Sequence, residues 1–421
     1  MEKLRKNKRI GRRTFLKVSG LGATGFALGG GLPFRSLAGP KEILIGDIHP
    51  TSGGLAEFGK SCRDGTELAV EDINEAGGIK SLGGARLKLL AADSEGKPEV
   101  GMKAAERLIQ QGVVAIIGAF QSSVTFATTQ IGEKYKIPTV IDFGIAENIL
   151  ERGFKYCFRL MPSTDMASEQ WANFTMDMAK SKNVDVKTVV IIHENTLYGT
   201  SFAKKAKGYI EKAGMEVIAV IPYPYNTADL SSEVSKIKAL RPDIIAPISY
   251  TPDAILLTKA LASQKVYAKG YIGLSSAGHG NLAYVTSLGK LAEYNMTQTA
   301  FGNRKAARYS SFEAGFKKRF GVEPNVAPAC YNYSAALLLA DAMERVGSAE
   351  PTAVRDALVK SSFRDHLLPG ETISFDEIGQ NKSVISPFIQ VFQGRQYVVW
   401  PKKFAQKKVV FPMPSWDEIL K

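Results

Sequence analysis

Short apolar runs rich in Val and Ile alternate along this chain with longer stretches whose apolar residues fall three and four apart. The runs are Glu42–Ile48, Leu87–Ala92, Val113–Ile117, Thr139–Ile141, Thr188–His193, Glu216–Ile221, Ile244–Ile248 and Tyr271–Gly273. Between them, Gly59–Ala76, Val100–Gln111, Phe202–Ala213 and Leu230–Leu240 carry the helical period. Strand then helix, repeated, predicts parallel sheets covered by helices. Eight such units exceed one sheet of ordinary size. The expected fold is therefore α/β, with two doubly wound, Rossmann-like lobes.

The break between lobes is expected after Lys155–Leu160, an extended segment ended by Met161-Pro162-Ser163-Thr164-Asp165. There Ser, Thr and Asp supply capping chemistry for a new helix. A second strand-like crossing is expected near Asn295–Phe301, and the pattern is helical again from Ser310 to about Val359. Glu371–Phe375, Phe388–Phe392 and Gln396–Trp400 read as short strands of a closing meander. A chain that visits one lobe, then the other, and returns must cross one hinge several times. The partition is 41–160 with about 299–360 for the first lobe, and 161–298 with about 361–421 for the second.

In open α/β sheets, ligands bind outside the carboxyl ends of strands, where the next helix points unpaired N–H groups outward. Four such junctions carry small, hydroxyl or aromatic residues: Pro50–Gly59, Gly118–Thr125, Glu194–Gly199 and Ser249–Asp253. Ser122 or Ser123 can cap a helix and offer hydroxyl and N–H to an anion. Each residue also has a plainer role: the serines as ordinary caps, Tyr198 and Tyr250 as packing, Gly53-Gly54 as a turn. Concurrence favours a site, since all four junctions lie at the same structural end, two in each lobe.

Composition narrows the class. With 421 residues, 45% hydrophobic and 23% charged, the chain is an ordinary globular one. The formal charge of +13 points to no polyanion partner, because residues 1–40 hold nine Lys/Arg against Glu2 alone and the rest keeps only about +5. That basic stretch ends in Gly11-Arg12-Arg13-Thr14-Phe15-Leu16-Lys17 and runs into the uncharged, Gly-rich Val18–Leu32 and then Ser36-Leu37-Ala38. Residues 1–38 therefore read as a twin-arginine signal cleaved near Ala38, which places the mature chain free in the periplasm. The apolar run is too short for a comfortable span of about 20 residues. Gly20-Leu21-Gly22-Ala23-Thr24-Gly25 matches a dinucleotide fingerprint but follows no strand, and it is discarded. No cofactor and no metal are expected: Cys62, Cys157 and Cys330 are widely spaced and form no CxxC. They read as buried thiols, with a Cys62–Cys330 pair left open.

These residues resemble the solute-binding proteins of branched-chain amino acid ABC importers, the type I periplasmic binding fold, over almost all of 41–421. The matching stretches are Gly53–Gly59, Ile116-Ile117-Gly118 with Ser122-Ser123, Tyr156–Arg159, Tyr198-Gly199 and Val399-Trp400-Pro401-Lys402. The resemblance implies a carboxylate held at Ser122 and neighbouring N–H groups, with Ser123 beside it, under aromatic residues matching Phe58, Tyr198 and Tyr250. Its hydroxyl-bearing position after the fourth strand falls on Phe143 and Ile145, and its acidic partner for an α-ammonium falls near Ser275. Both are departures. A buried ammonium without a carboxylate would cost several kcal/mol. The expected ligand is thus a small carboxylate or amide lacking a free α-ammonium, against a wall of Phe58, Phe120 and Phe143. Asp142 or Glu147 is the alternative source of the missing charge.

The resemblance further implies a monomer that closes around a small-molecule solute and presents it to an ABC permease in the inner membrane with its cytoplasmic ATPase. A different class is an exported hydrolase on a related α/β scaffold. Against it, Gly273-Leu274-Ser275-Ser276-Ala277 lacks the last Gly of a nucleophile elbow, His193-Glu194 lacks a second zinc-binding His, and only four histidines are present. A third, an intracellular amide sensor, is incompatible with a cleaved signal.

Overall fold

The computed structural model describes residues 42–421. The expected signal at 1–38, its cut near Ala38 and the discarded glycine motif lie outside the described residues.

The first half alternates strand and helix: β1 (Glu42–His49), α1 (Ala56–Glu75), β2 (Arg86–Asp93), α2 (Pro98–Gln110), β3 (Ala115–Gly118), α3 (Ser122–Tyr135), β4 (Thr139–Ile141) and β5 (Cys157–Arg159). The strands form one parallel sheet in the order β2-β1-β3-β4-β5. β3 and β4 are buried throughout, as strands covered by helices on both faces must be. The order reverses between β1 and β3, which opens a crevice at their carboxyl ends.

After α4 (Thr164–Ser181) the pattern repeats: β6 (Thr188–Glu194), α5 (Leu197–Lys212), β7 (Glu216–Tyr223), α6 (Ser231–Leu240), β8 (Ile244–Ile248), α7 (Thr251–Ser263), β9 (Gly270–Gly273), α8 (Leu282–Leu288) and β10 (Met296–Gln298). Three helices follow, α9 (Tyr309–Phe320), α10 (Val326–Val346) and α11 (Pro351–Val359). The chain ends with β11 (Phe388–Phe392), β12 (Arg395–Trp400) and α12 (Trp416–Ile419). The second sheet runs β12-β11-β10-β9-β8-β6-β7, parallel from β7 to β10 and antiparallel at the β10–β11–β12 edge. Its order reverses between β6 and β8.

α10 packs on α1 and is buried on nearly every side. Close approach is possible because Gly65 faces the backbone of Ala329; a Cβ there would lie 2.3 Å from the Ala329 carbonyl oxygen. Cys62 and Cys330, on these two helices, are free and buried, as is Cys157.

One expectation needs correction. Glu371–Phe375 is not a strand, because Ile373 bridges Phe363 while Phe375 bridges Asn381, and no second strand lies beside both. The chain rejoins the second sheet at β11. Before that it lies along β5 and α10: Arg159 donates its N–H to Gly379 at 2.8 Å, Asn381 donates to Arg159 at 3.0 Å, and Leu367 donates to the Ser334 hydroxyl at 3.0 Å. The paired backbone satisfies polar groups that the buried β5 edge would otherwise leave open.

Candidate functional site

The loops at both reversal points open onto one cavity. From the first half come Phe58 in the first turn of α1, Phe120 and Ser122 after β3, Phe143 and Ile145 after β4, and Met161 after β5. From the second come Tyr198 at the start of α5, Tyr250 at the start of α7, Ser275 and Ala277 after β9, and Thr299 after β10. Of the residues singled out in sequence, the structure brings together Phe58, Ser122, Phe143, Ile145, Tyr198, Tyr250 and Ser275. Ser123 is half-buried and does not line the cavity, because one residue along a helix turns the side chain by about 100°. Met161 and Thr299 were missed, although the same rule that found the others, a position just past a strand end, would have found them.

Aromatic rings fill most of the space. Phe58 stacks on Phe120 with centroids 4.1 Å apart, and Phe143 meets both edge-on at 5.1 and 5.9 Å. Tyr250 reaches across from the second half to Phe120 at 5.9 Å and touches Tyr198 at 5.2 Å. The cavity that remains is about 30 Å³, room for roughly one or two water molecules.

Two lining residues, Phe120 and Ser275, hold positive φ angles of 63° and 41°, a conformation disfavoured for side chains other than glycine. Each is held by a specific bond. Phe120 donates its N–H to Asp142 Oδ1 at 3.0 Å. The Ser275 carbonyl accepts the Tyr198 hydroxyl at 2.6 Å.

Asp142 belongs to a buried cluster beneath the aromatic wall. His49 is bonded through Nε2 to Asp142 and through Nδ1 to Asp47, both at 2.8 Å, and Thr66 donates to Asp47 at 3.0 Å. Burial alone would depress the His49 pKa, but the carboxylates of Asp47 and Asp142 outweigh it and hold the imidazole well above its ordinary value. Burial likewise works against the Asp142 carboxylate, yet the His49 charge and the N–H groups of Phe120 and Phe143 keep its pKa low. His49, Cys62 and Asp142 could together offer a metal three donor atoms within 4.8 Å. The geometry fits a hydrogen-bond cluster better, since both ring nitrogens of His49 are engaged and burial pushes the Cys62 thiol up to about 12.

Asp142 and Glu147 therefore supply no free charge to the cavity. Asp142 is bound to His49, and Glu147 accepts the Asp165 N–H at 2.8 Å and faces the buried Arg159 guanidinium at 3.5 Å. Burial lowers the Arg159 pKa to about 10. Among the lining residues none is charged.

The helices that follow β3, β6 and β8 all begin at the cavity, and they are not equivalent. The first N–H groups of α5 are taken by Glu194, whose carboxylate accepts from Gly199 at 2.6 Å and from Thr196. The start of α7 carries the buried Asp253, which burial raises to about 7. α3 has neither: its N-cap, Gln121, makes no side-chain capping bond, and no acid lies in its first turn. Its free N–H groups, beside the Ser122 hydroxyl, suit an anion.

Ser122 and Ser275 line this space, and neither has a histidine among its hydrogen-bond partners in the described residues. Ser276 does touch a histidine, with Oγ 2.7 Å from His279 Nδ1, but it is fully buried away from the cavity and accepts the Ser249 N–H at 3.0 Å. Burial drops the His279 pKa to about 3, too low for a base near neutrality.

Residues 42–393 match the family model described as periplasmic binding protein. Leu/Ile/Val-binding protein homolog 7 of Brucella abortus is 26% identical over 385 residues, covering 88% of this chain and 94% of the relative. Among solved structures, the leucine binding protein LivK of Thermotoga maritima superposes with a TM-score of 0.73 at 22% identity, covering 85% of this chain and 97% of that one. A solute binding protein of an R. palustris ABC transporter, solved in complex with benzoate, gives 0.73 at 19% identity, covering 85% and 95%.

Proposed function

The chain belongs to the periplasmic binding protein family and is of the leucine-binding-protein type, and we propose that it is the solute receptor of an ABC importer. In this reading, the sheet of β1–β5 and the sheet of β6–β12 are the cores of two lobes that close on a solute by hinge motion. The solute is a small carboxylate or amide without a free α-ammonium. Its acid group docks at Ser122 and the start of α3. Its apolar or aromatic body lies against Phe58, Phe120 and Phe143, under Tyr198 and Tyr250. Export by the twin-arginine route, cleavage near Ala38, action as a monomer, and delivery to a membrane permease belong to the same proposal.

The observation that carries the choice of solute is the lining: a free helix start for one anion, hydroxyls and aromatic rings around it, and no carboxylate to pair with an ammonium. An unpaired ammonium buried there would cost several kcal/mol, more than the roughly 1 kcal/mol a neutral hydrogen bond returns. The benzoate complex of the R. palustris neighbour supports an acid of this kind. A cavity of about 30 Å³ requires the aromatic rings or the lobes to move apart before such a solute enters. Calorimetric titration with leucine, benzoate and a short aliphatic acid tests the reading. Binding of an acid with no response to leucine is expected, and tight leucine binding overturns it. Turnover of esters or amides would instead favour a hydrolase.

A further inference from the structure

A second and much larger cavity, about 480 Å³, adjoins the aromatic one. It lies between the start of α10 with the loop before it and the hairpin that joins β11 to β12. Gly280, Ala300 and Ala327 line both cavities. All three are Gly or Ala, so the residues shared by the two spaces carry no long side chain. A larger residue would not fit at Gly280, where a Cβ would lie 2.4 Å from the Thr299 hydroxyl.

The two spaces differ in chemistry. The aromatic cavity has no charged lining, whereas the outer one is lined by Arg304, Arg395, Glu313 and Glu323. Glu323 is neutralised by Lys317 at 2.6 Å, and Glu313 accepts the Tyr309 hydroxyl at 3.2 Å. Neither Arg304 nor Arg395 has a carboxylate within salt-bridge distance among the described residues; Arg304 rests over the Phe301 ring at 5.6 Å. Size separates them too. Ligand sites run to roughly 300–1,000 Å³, a range the outer cavity reaches and the aromatic one does not.

We infer that the outer cavity is a second subsite, where Arg304 and Arg395 take the anionic end of an elongated acid whose body passes Gly280, Ala300 and Ala327 into the aromatic cavity. The ligand class is then a dicarboxylate with an aryl or alkyl middle, one carboxylate at α3 and the other at the two guanidiniums. The planar guanidinium fork matches a carboxylate in two parallel bonds, which an ammonium does not. This inference rests on the reading of the site given above.

Isothermal titration of the mature protein with matched pairs tests it: octanoate against suberate, and 3-phenylpropionate against its 4-carboxylated counterpart. The dicarboxylate of each pair is expected to bind at least tenfold more tightly, with an affinity that falls as NaCl rises. In the Arg304→Gln/Arg395→Gln double variant that preference should vanish while monocarboxylate affinity and melting temperature hold, which also shows that the variant folds. Equal affinities within each pair, or a preference that survives in the double variant, overturns the second subsite alone. If no acid of either kind binds the unaltered protein, the reading of the first site falls and this inference with it.

Discussion

The Glu57 carboxylate, in the first turn of α1, accepts a hydrogen bond at 2.8 Å from the side-chain amide of Asn281, which caps α8. The same carboxylate accepts from Asn325 at 3.1 Å. α1 covers the first sheet and α8 belongs to the second, so this bond spans the two halves beside the cavity. Glu57→Ala should weaken solute binding roughly three- to tenfold, the scale of one partly exposed hydrogen bond. The effect should lie in closure, so small-angle scattering of the solute-bound variant should show a larger open fraction. Unchanged affinity would deny the bond any part in closing.

Ser122 and Ser123 are neighbours in sequence, but only Ser122 lines the cavity. Its Oγ also accepts the Ala146 N–H at 3.3 Å, which ties the loop bearing Ile145 to α3. Ser122→Ala should reduce acid affinity about tenfold with a loss of stability near 1 kcal/mol. Ser123→Ala should change neither. Calorimetry on both variants decides the matter, and an equal loss in the two would contradict the geometry.

Phe120 pairs a large buried ring with a left-handed backbone. Phe120→Ala loses the stack on Phe58 and keeps the backbone penalty; Phe120→Gly loses the same ring and removes that penalty. The glycine variant should therefore be the more stable of the two by about 1 kcal/mol, the reverse of the order expected inside a helix. Urea unfolding of both variants measures the difference.

The His49 cluster predicts a pH profile. Because the folded His49 pKa stands above 6.5, its contribution to stability is complete below that value and fades as pH rises through the elevated folded pKa. Asp142, held below 3.8, contributes fully above that value and loses its contribution as pH falls through its lowered folded pKa. Stability from this cluster should thus be greatest between about pH 4 and 6.5. His49→Gln should lower the whole curve and flatten its alkaline fall, while thermal melts that remain as steep on the alkaline side would place the dependence elsewhere.

Much of this was legible in the chain itself. The Val- and Ile-rich runs marked eight of the strands because buried parallel strands need continuous apolar residues, and the crevice could be placed because strand ends and helix starts fix where unpaired N–H groups point. Tyr198 and Tyr250 could be named by that rule alone. Closing edges were harder. Ile373 and Phe375 alternate like a strand, yet strandness needs a partner, and their pairing residues come from two different segments.

The folded arrangement, by contrast, settled which charged groups are paired. In sequence, Asp142 and Glu147 stood as equal candidates to face a solute, as did Ser122 and Ser123. Folding commits Asp142 to His49, ninety-three residues away, and Glu147 to Arg159. The sequence sets which groups arrive at the crevice, since that follows from local periodicity and order along the chain. Which of them remain unpaired there depends on long-range neighbours, because a buried charge takes whatever partner the packed chain brings within hydrogen-bond reach.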